Sequence, residues 1–200
     1  MNTTTLPAHY RLMRTIDLQR DKKLMIAVNL LSLAIFFLLL FVGTLLQPIS
    51  IQLESLGVEL GRMLALLGAV AVYIFAHEGI HGVMIRIYGG VKPQYGFTGL
   101  FAYAGSDQAY FDRSSYLVIA LAPVLVWGVV LGLLPLFLPA GWFWPVYLIQ
   151  CFNLSGAAGD LFVSVLLLRM PRNLLVQDTG LTMTVFCPQS AGPDLPGDRL

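Results

Sequence analysis

The chain has 200 residues, of which 57% are hydrophobic and only 12% are charged. A soluble domain carries about 25% charged residues, so this composition excludes a soluble protein and predicts an integral membrane protein. The length suits one compact bundle and leaves no room for a second sizeable domain. The net charge of +1 gives no indication of nucleic-acid binding.

Residues 1–23 are polar and basic, and we expect them to form a cytoplasmic segment. The first apolar run, residues 24–46, follows directly. It exceeds the apolar core of a cleaved signal peptide, which has about 7–15 residues. We therefore expect this run to be retained as a transmembrane helix.

Three further apolar runs predict three more spans, at about residues 62–88, 116–138 and 142–170. The fold class predicted is an all-α membrane protein with about four transmembrane helices. Residues 24–171 then form a single transmembrane domain. Residues 172–200 are rich in Pro, Gly and Asp, and we expect a flexible tail there.

Lysine and arginine residues indicate how the spans are oriented. They concentrate in residues 1–23, 86–113 and 169–200, which alternate with connections that contain almost no Lys or Arg. Segments rich in Lys and Arg stay on the cytoplasmic side of a membrane. Four spans with both termini cytoplasmic satisfy this rule.

The segment at residues 91–105, between the second and third spans, has a strand pattern. Apolar or aromatic side chains recur there at every second position. Gly99 allows a turn, so the segment predicts a small β-hairpin-like insert beside the second span. The edge of such a hairpin is suited to adding an extended peptide as a further strand. The alternative is an interfacial loop anchored by its aromatic residues.

The second span contains the run His77-Glu78-Gly79-Ile80-His81. On a helix, positions i and i+4 share one face, so both imidazoles can bind one metal ion. Zn²⁺ accepts such a pair, and Glu78 beside it suits a general base. The alternative is two core histidines that hydrogen-bond to neighbouring helices. Three ionisable residues within five positions of an apolar span are costly, which favours the metal site.

A catalytic zinc site needs a third protein ligand, and Asp160 is the best candidate. Outside the motif, it is the only carboxylate deep in an apolar span. Asp160 precedes Arg169 by nine residues, as His77 precedes Arg86 by nine. At 1.5 Å per residue, both lie about 13 Å from their basic flank. The alternative is a helix-packing seam in which Asp160 pairs with a polar neighbour.

Asn153 lies seven residues before Asp160, on the same helical face. We consider it a candidate for positioning the substrate. An asparagine that merely bridges helices by hydrogen bonds is the alternative. No site for any cofactor other than the metal ion is predicted.

The run from His77 to Gly82, together with the run from Asn153 to Asp160, resembles the site-2 protease superfamily of intramembrane zinc metalloproteases. More narrowly, it resembles a bacterial family of zincin peptidases of unknown function. The resemblance covers about residues 70–170. Site-2 proteases usually have Asn-Pro and then Leu-Asp-Gly in the second motif, whereas this chain has Asn-Leu and then Gly-Asp-Leu.

The resemblance implies a role for each matching residue. His77, His81 and Asp160 would be the zinc ligands, and Glu78 would be the general base. The run Leu121-Ala122-Pro123 is similar to a small-Gly-Pro element of site-2 proteases, although the glycine is absent. A bacterial cytoplasmic membrane is the location that the resemblance implies.

Three functions follow as hypotheses. The first is an intramembrane zinc metalloprotease that hydrolyses membrane-associated polypeptides, with the lipid bilayer as its surroundings. The second is a metal-binding membrane protein that acts without proteolysis. The third is a small transporter or proton relay, against which the absence of an internal repeat argues. The sequence gives no indication of the substrate or of the oligomeric state.

Overall fold

The computed structural model describes residues 2–17, 20–49, 56–99 and 102–189. Within these ranges it has five α-helices and five β-strands. The helices are α1 (Lys22–Leu46), α2 (Leu56–Gly89), α3 (Arg113–Leu133), α4 (Phe143–Gly156) and α5 (Ala158–Leu168). The strands are β1 (Tyr10–Asp17), β2 (Gln94–Phe97), β3 (Ala102–Asp112), β4 (Leu175–Asp178) and β5 (Thr182–Pro188).

Four helical stretches are long and apolar enough to cross a membrane, as the sequence predicted. They are Lys22–Leu46, Leu56–Gly89, Arg113–Leu136 and Ala140–Leu168. The second begins at Leu56, before the predicted start at residue 62. The third ends in a 3₁₀ turn, Leu134–Leu136, which contains Pro135.

The fourth span is broken, although one continuous helix was predicted. α4 ends at Gly156 and α5 begins at Ala158, so Ala157 separates two helical segments. Asp160 therefore lies in the first turn of α5. The partial positive charge at a helix N-terminus stabilises a carboxylate in that position.

The first helix packs on one side of the bundle. α1 contacts α4 and α5, and the Tyr147 hydroxyl of α4 donates to the Leu39 carbonyl of α1 at 2.7 Å. Gly43 allows this approach, because a Cβ there would overlap the Tyr147 ring. Residues of α1 and α2 line one cavity, which contains the candidate site.

The protein is not purely all-α, because it has a five-stranded sheet where only one small hairpin was predicted. The predicted hairpin forms from β2 and β3, but β3 continues to Asp112. β1, β4 and β5 add to it, in the order β1-β5-β4-β3-β2, with each neighbouring pair antiparallel. Leu100 and Phe101 of the predicted insert lie outside the described residues.

The carboxyl-terminal segment is more ordered than predicted. Residues 172–200 were expected to be a flexible tail, but β4 and β5 lie within them. The side chains of Met183, Val185 and Cys187 are buried at alternate positions of β5, which is the pattern of a strand with one face in a core. β5 also pairs with β1 from the basic amino-terminal segment. Residues 190–200 lie outside the described residues.

The sheet covers one end of the helical bundle. Phe111, Val176 and Val185 of the sheet are fully buried or nearly so. They belong to one apolar cluster with Ile85 of α2 and Leu167 of α5. This cluster holds the sheet beneath the predicted metal-binding residues.

Candidate metal centre

The histidine and glutamate side chains of the α2 motif converge as predicted. Ligand atoms of His77, Glu78 and His81 all lie within 4.8 Å of one another. One helical turn separates the two imidazoles, whose ring centroids are 5.1 Å apart. His77 is buried, with 8% of its surface exposed.

Asp160 reaches the same point from α5. Its Oδ2 atom lies 3.8 Å from His77 Nε2 and 3.7 Å from His81 Nε2. The residues that were paired by counting along two spans are therefore neighbours in space. Both imidazoles present the same nitrogen, Nε2, to this carboxylate.

Hydrogen bonding fixes which nitrogen of His81 carries the proton. His81 Nδ1 lies 2.9 Å from the backbone carbonyl of Ile119 in α3. A carbonyl can only accept, so Nδ1 is the protonated nitrogen and donates to it. In the neutral imidazole, Nε2 then keeps its lone pair, which faces Asp160.

A longer chain of hydrogen bonds fixes the tautomer of His77. Asn153 Nδ2 donates to the Val124 carbonyl at 3.1 Å, so Asn153 Oδ1 is left as an acceptor. The Tyr73 hydroxyl donates to that Oδ1 at 3.0 Å. Its oxygen then accepts from His77 Nδ1 at 2.9 Å. The Nε2 lone pair of His77 consequently also faces Asp160.

These three residues fit a zinc ion. Two imidazole lone pairs and one carboxylate oxygen form a donor set that Zn²⁺ uses in catalytic sites. The separations of 3.7 and 3.8 Å are too long for hydrogen bonds. They are close to the distance of about 3.3 Å between two ligands of one tetrahedral zinc ion, given bond lengths of about 2.0–2.1 Å.

Glu78 stands beside this donor set, near the sheet. The backbone amide of Ala104 in β3 lies near its carboxylate. The β2–β3 hairpin thus lies beside the predicted general base. A carboxylate in this position can face a water molecule near the metal position without itself being a ligand.

A cavity of about 910 Å³ contains all four of these side chains. Its walls are mostly apolar, and Met25, Val28 and Asn29 of α1 form part of them. Asn29, exposed on α1, is a polar exception on that wall. No lysine or arginine lines the cavity among the described residues.

The amino-acid sequence was compared with models of known protein families. Residues 70–175 match a family described as "putative zincin peptidase". The chain belongs to this family. The family description indicates a metallopeptidase of the zincin type and implies zinc as its metal. No curated protein and no solved structure matches the chain.

Asn153 lies inside the range that the family model matches, but the structure does not place it in the cavity. It is fully buried, and its amide bonds to Tyr73 and Val124. A role of Asn153 in positioning the substrate stays a prediction, and its observed contact is with Tyr73, the partner of His77. The alternative that the sequence left open, an asparagine bridging helices, describes these bonds.

Asp178 is a cavity residue that the sequence analysis missed. It lies just beyond the family match, at the end of β4, and lines the cavity. Its carboxylate accepts from the Tyr116 hydroxyl and from the Gly180 amide. Burial raises the pKa of the Asp178 carboxyl above its usual range. A signal for a hairpin was present in the sequence. Polar and apolar side chains alternate in residues 182–185, after the turn-forming run Asp178-Thr179-Gly180.

Proposed function

We propose that this protein is an intramembrane zinc metalloprotease of the site-2 protease type. The observation that carries the proposal is the convergence of two histidine lone pairs with Asp160, beside Glu78, in one cavity. These residues lie on helical stretches that are long and apolar enough to cross a bilayer. Charged groups are costly at such depth and are usually functional.

His77, His81 and Asp160 are the residues that would hold the ion. When bound, zinc supplies a Lewis acid that polarises a peptide carbonyl and makes a water molecule more acidic. The Glu78 carboxylate takes the proton of the attacking water and passes it to the leaving amine. Glu78 and Ala104 both line the cavity.

The substrates we propose are membrane-associated polypeptides. The mostly apolar walls of the cavity suit a segment that comes from the bilayer. β2 forms one edge of the sheet, so its outer side has no strand partner among the described residues. An extended peptide could pair with this edge and so reach the centre with its backbone straight.

The orientation we propose places the sheet and both termini in the cytoplasm of a bacterium. β1 and β5 pair with each other, so the two terminal segments lie on one side of the helices. The basic residues of the amino-terminal segment fall on that side, and such residues favour the cytoplasm. Cleavage would then occur near the cytoplasmic face.

Metal analysis of the purified protein tests the first part of the proposal. We expect about one zinc per chain in the wild type and much less in His77→Ala, His81→Ala and Asp160→Ala. The third histidine of the chain, His9, provides the matched control. His9→Ala should keep its zinc. A metal-free wild type, or equal loss from His9→Ala, contradicts the metal centre.

Substitution of the general base tests the second part. Glu78→Gln should keep its zinc, because Glu78 is not in the proposed ligand set. Its hydrolysis of a membrane polypeptide should fall by about 10²–10⁴-fold, the usual contribution of a general base. A zinc-loaded Glu78→Gln protein with wild-type activity excludes this mechanism. A wild type that binds zinc and cleaves no membrane polypeptide favours the non-proteolytic alternative.

A further inference from the structure

Pro123 stands in the interior of α3 and is fully buried. A proline there has no N–H to donate to the carbonyl four residues earlier. Its ring also pushes that carbonyl away from the helix axis. The carbonyl concerned belongs to Ile119, which therefore lacks its usual i+4 partner.

The Ile119 carbonyl is the group to which His81 Nδ1 donates, at 2.9 Å. An ordinary helix carbonyl is already engaged by the N–H of the residue four positions later. Here the acceptor is available to a side chain of α2 because α3 cannot use it. The one hydrogen bond sets both the tautomer and the ring orientation of His81.

We infer that Pro123 is a positioning residue for the metal centre, acting through the Ile119 carbonyl on His81. The inference rests on the zinc site of the proposed function. A hydrogen-bonded partner of a metal-binding histidine usually orients the ring and raises its affinity for the ion. In this protein the partner is a backbone carbonyl, and the residue that makes it available is a proline.

The other helical prolines of the described chain differ from Pro123 in their positions. Pro135 lies at the start of its 3₁₀ turn, and Pro145 lies in the first turn of α4. The N–H groups of a first helical turn have no intrahelical acceptor, so Pro145 displaces no hydrogen bond. Pro135 lies in the 3₁₀ turn that continues α3, and among the described residues no histidine donates to the carbonyl four positions before it. Pro123 lies well inside its helix and removes a hydrogen bond.

Zinc affinity, measured by competition with a chelator, tests the inference. Pro123→Ala restores the N–H, which then competes with His81 for the Ile119 carbonyl. We expect zinc affinity to fall by about tenfold or more, the usual effect of losing such a partner. The matched control Pro135→Ala should stay within about twofold of wild type. Wild-type affinity in Pro123→Ala, or an equal loss in both variants, overturns the inference.

Nitrogen NMR of protein with labelled histidines shows which ring nitrogen of His81 carries the proton. This would not change if Pro123 had only a structural role. The chain has three histidines, so the spectrum is simple to assign with His9→Ala and His77→Ala. In the zinc-loaded wild type, His81 Nδ1 should carry a slowly exchanging proton, and this proton should exchange faster in Pro123→Ala. A proton on Nε2 of His81 in the wild type overturns the inference, even if Pro123→Ala does not fold.

The same kind of spectrum, recorded on metal-free protein, distinguishes failure of this inference from failure of the proposed function. Metal-free protein can be recorded at a pH at which its imidazoles are uncharged. The Nδ1-protonated form of His81 should still dominate there, because the Ile119 carbonyl remains its partner. If the wild type binds no zinc, the proposed function fails while this measurement still decides how His81 is oriented. A predominantly Nε2-protonated His81 in that sample contradicts the inference.

Discussion

Tyr73 connects the His77 ring to the buried amide of Asn153 through its hydroxyl. Replacing it by Phe removes the acceptor for His77 Nδ1 and leaves the ring shape nearly unchanged. We expect Tyr73→Phe to weaken zinc binding by about 10- to 100-fold, because His77 is then free to rotate and to change tautomer. Chelator competition on the purified protein measures this.

The chain offers a close control for that change. Tyr147 is also a tyrosine of a membrane-spanning stretch whose hydroxyl bonds to a backbone carbonyl, that of Leu39. It lies at the α1–α4 contact, away from the cavity lining. Tyr147→Phe should leave zinc affinity unchanged. If both substitutions weaken zinc binding alike, the effect is one of general stability and the role of Tyr73 is refuted.

Tyr73 and Asn153 act in series on His77, so their effects should not add. Once Tyr73→Phe has broken the link, a further Asn153→Ala substitution should weaken zinc binding no more. Additive losses in the double variant would show that Asn153 reaches the metal centre by another route, as a substrate or ligand contact would. Zinc affinities of the two single variants and the double variant complete this cycle.

The β2–β3 hairpin packs against one small residue of α2. Gly82 follows His81 directly, and a Cβ there would overlap the hydroxyl and ring of Tyr95 in β2. Gly82→Ala should therefore push the Tyr95 side chain aside, and this side chain is 57% exposed and has room to turn. Zinc content should be kept. If the hairpin moves with Tyr95, hydrolysis should fall by up to about 100-fold, because Ala104 of β3 lies near Glu78. Activity and metal assays on one preparation measure both.

Gly79 provides the control for this substitution. It lies one helical turn earlier, and a Cβ there would meet nothing within 4 Å. Gly79→Ala should retain activity. Adding Tyr95→Ala to Gly82→Ala should restore part of any lost hydrolysis, since it removes the side chain that clashes. A Gly82→Ala protein with full activity would show that the hairpin does not move with Tyr95.

The elements that the sequence predicted well are those whose signal is local. An apolar run of more than 20 residues has few alternatives to a membrane helix. The spacing of His77 and His81 places both on one face within a single turn. Asp160 was found by a count along two spans, which needs only that both helices are roughly straight up to the basic flank.

The parts that were missed depend on contacts between distant segments. The partner of His77 is Tyr73, but what orients Tyr73 is Asn153, 80 residues later. The partner of His81 is the Ile119 backbone carbonyl. In the sequence, only Pro123, four residues later, indicates that this carbonyl lacks its usual helical partner. β4 and β5 are short, with four and seven residues, and follow a run rich in turn formers. Their pairing with β1 and β3 makes them strands, and a single sequence does not show that pairing.

At the scale of the whole molecule, the two ends of the chain complete one sheet. β5 lies between β1 and β4, so the sheet joins the amino-terminal segment to the hairpin after α2. Asp178, Gly180 and Met183, all from the last two strands or their turn, line the cavity that contains the metal-binding residues. The carboxyl-terminal strands therefore form part of the wall of the candidate active site.

Truncation tests whether these strands are required. A chain that ends at Pro171 lacks β4 and β5, and it loses the buried side chains of Leu174, Val176 and Val185. Burying each such side chain contributes about 1.5–3 kcal/mol, so the loss approaches the whole stability of a small domain, about 5–15 kcal/mol. We expect this chain to bind little zinc and to be cleaved readily by added protease.

A chain that ends at Gln189 keeps every strand that the structure describes, including the bond from the Gln189 amide to the His9 carbonyl at 2.8 Å. It should match the full chain in zinc content and protease resistance. If the chain ending at Pro171 equals it in both, the helical bundle alone builds the metal centre. The sheet would then serve only to receive substrate, and the loss of activity would be confined to polypeptide cleavage. If only the longer chain binds zinc, the strands that cover the bundle are a structural requirement of the metal centre itself.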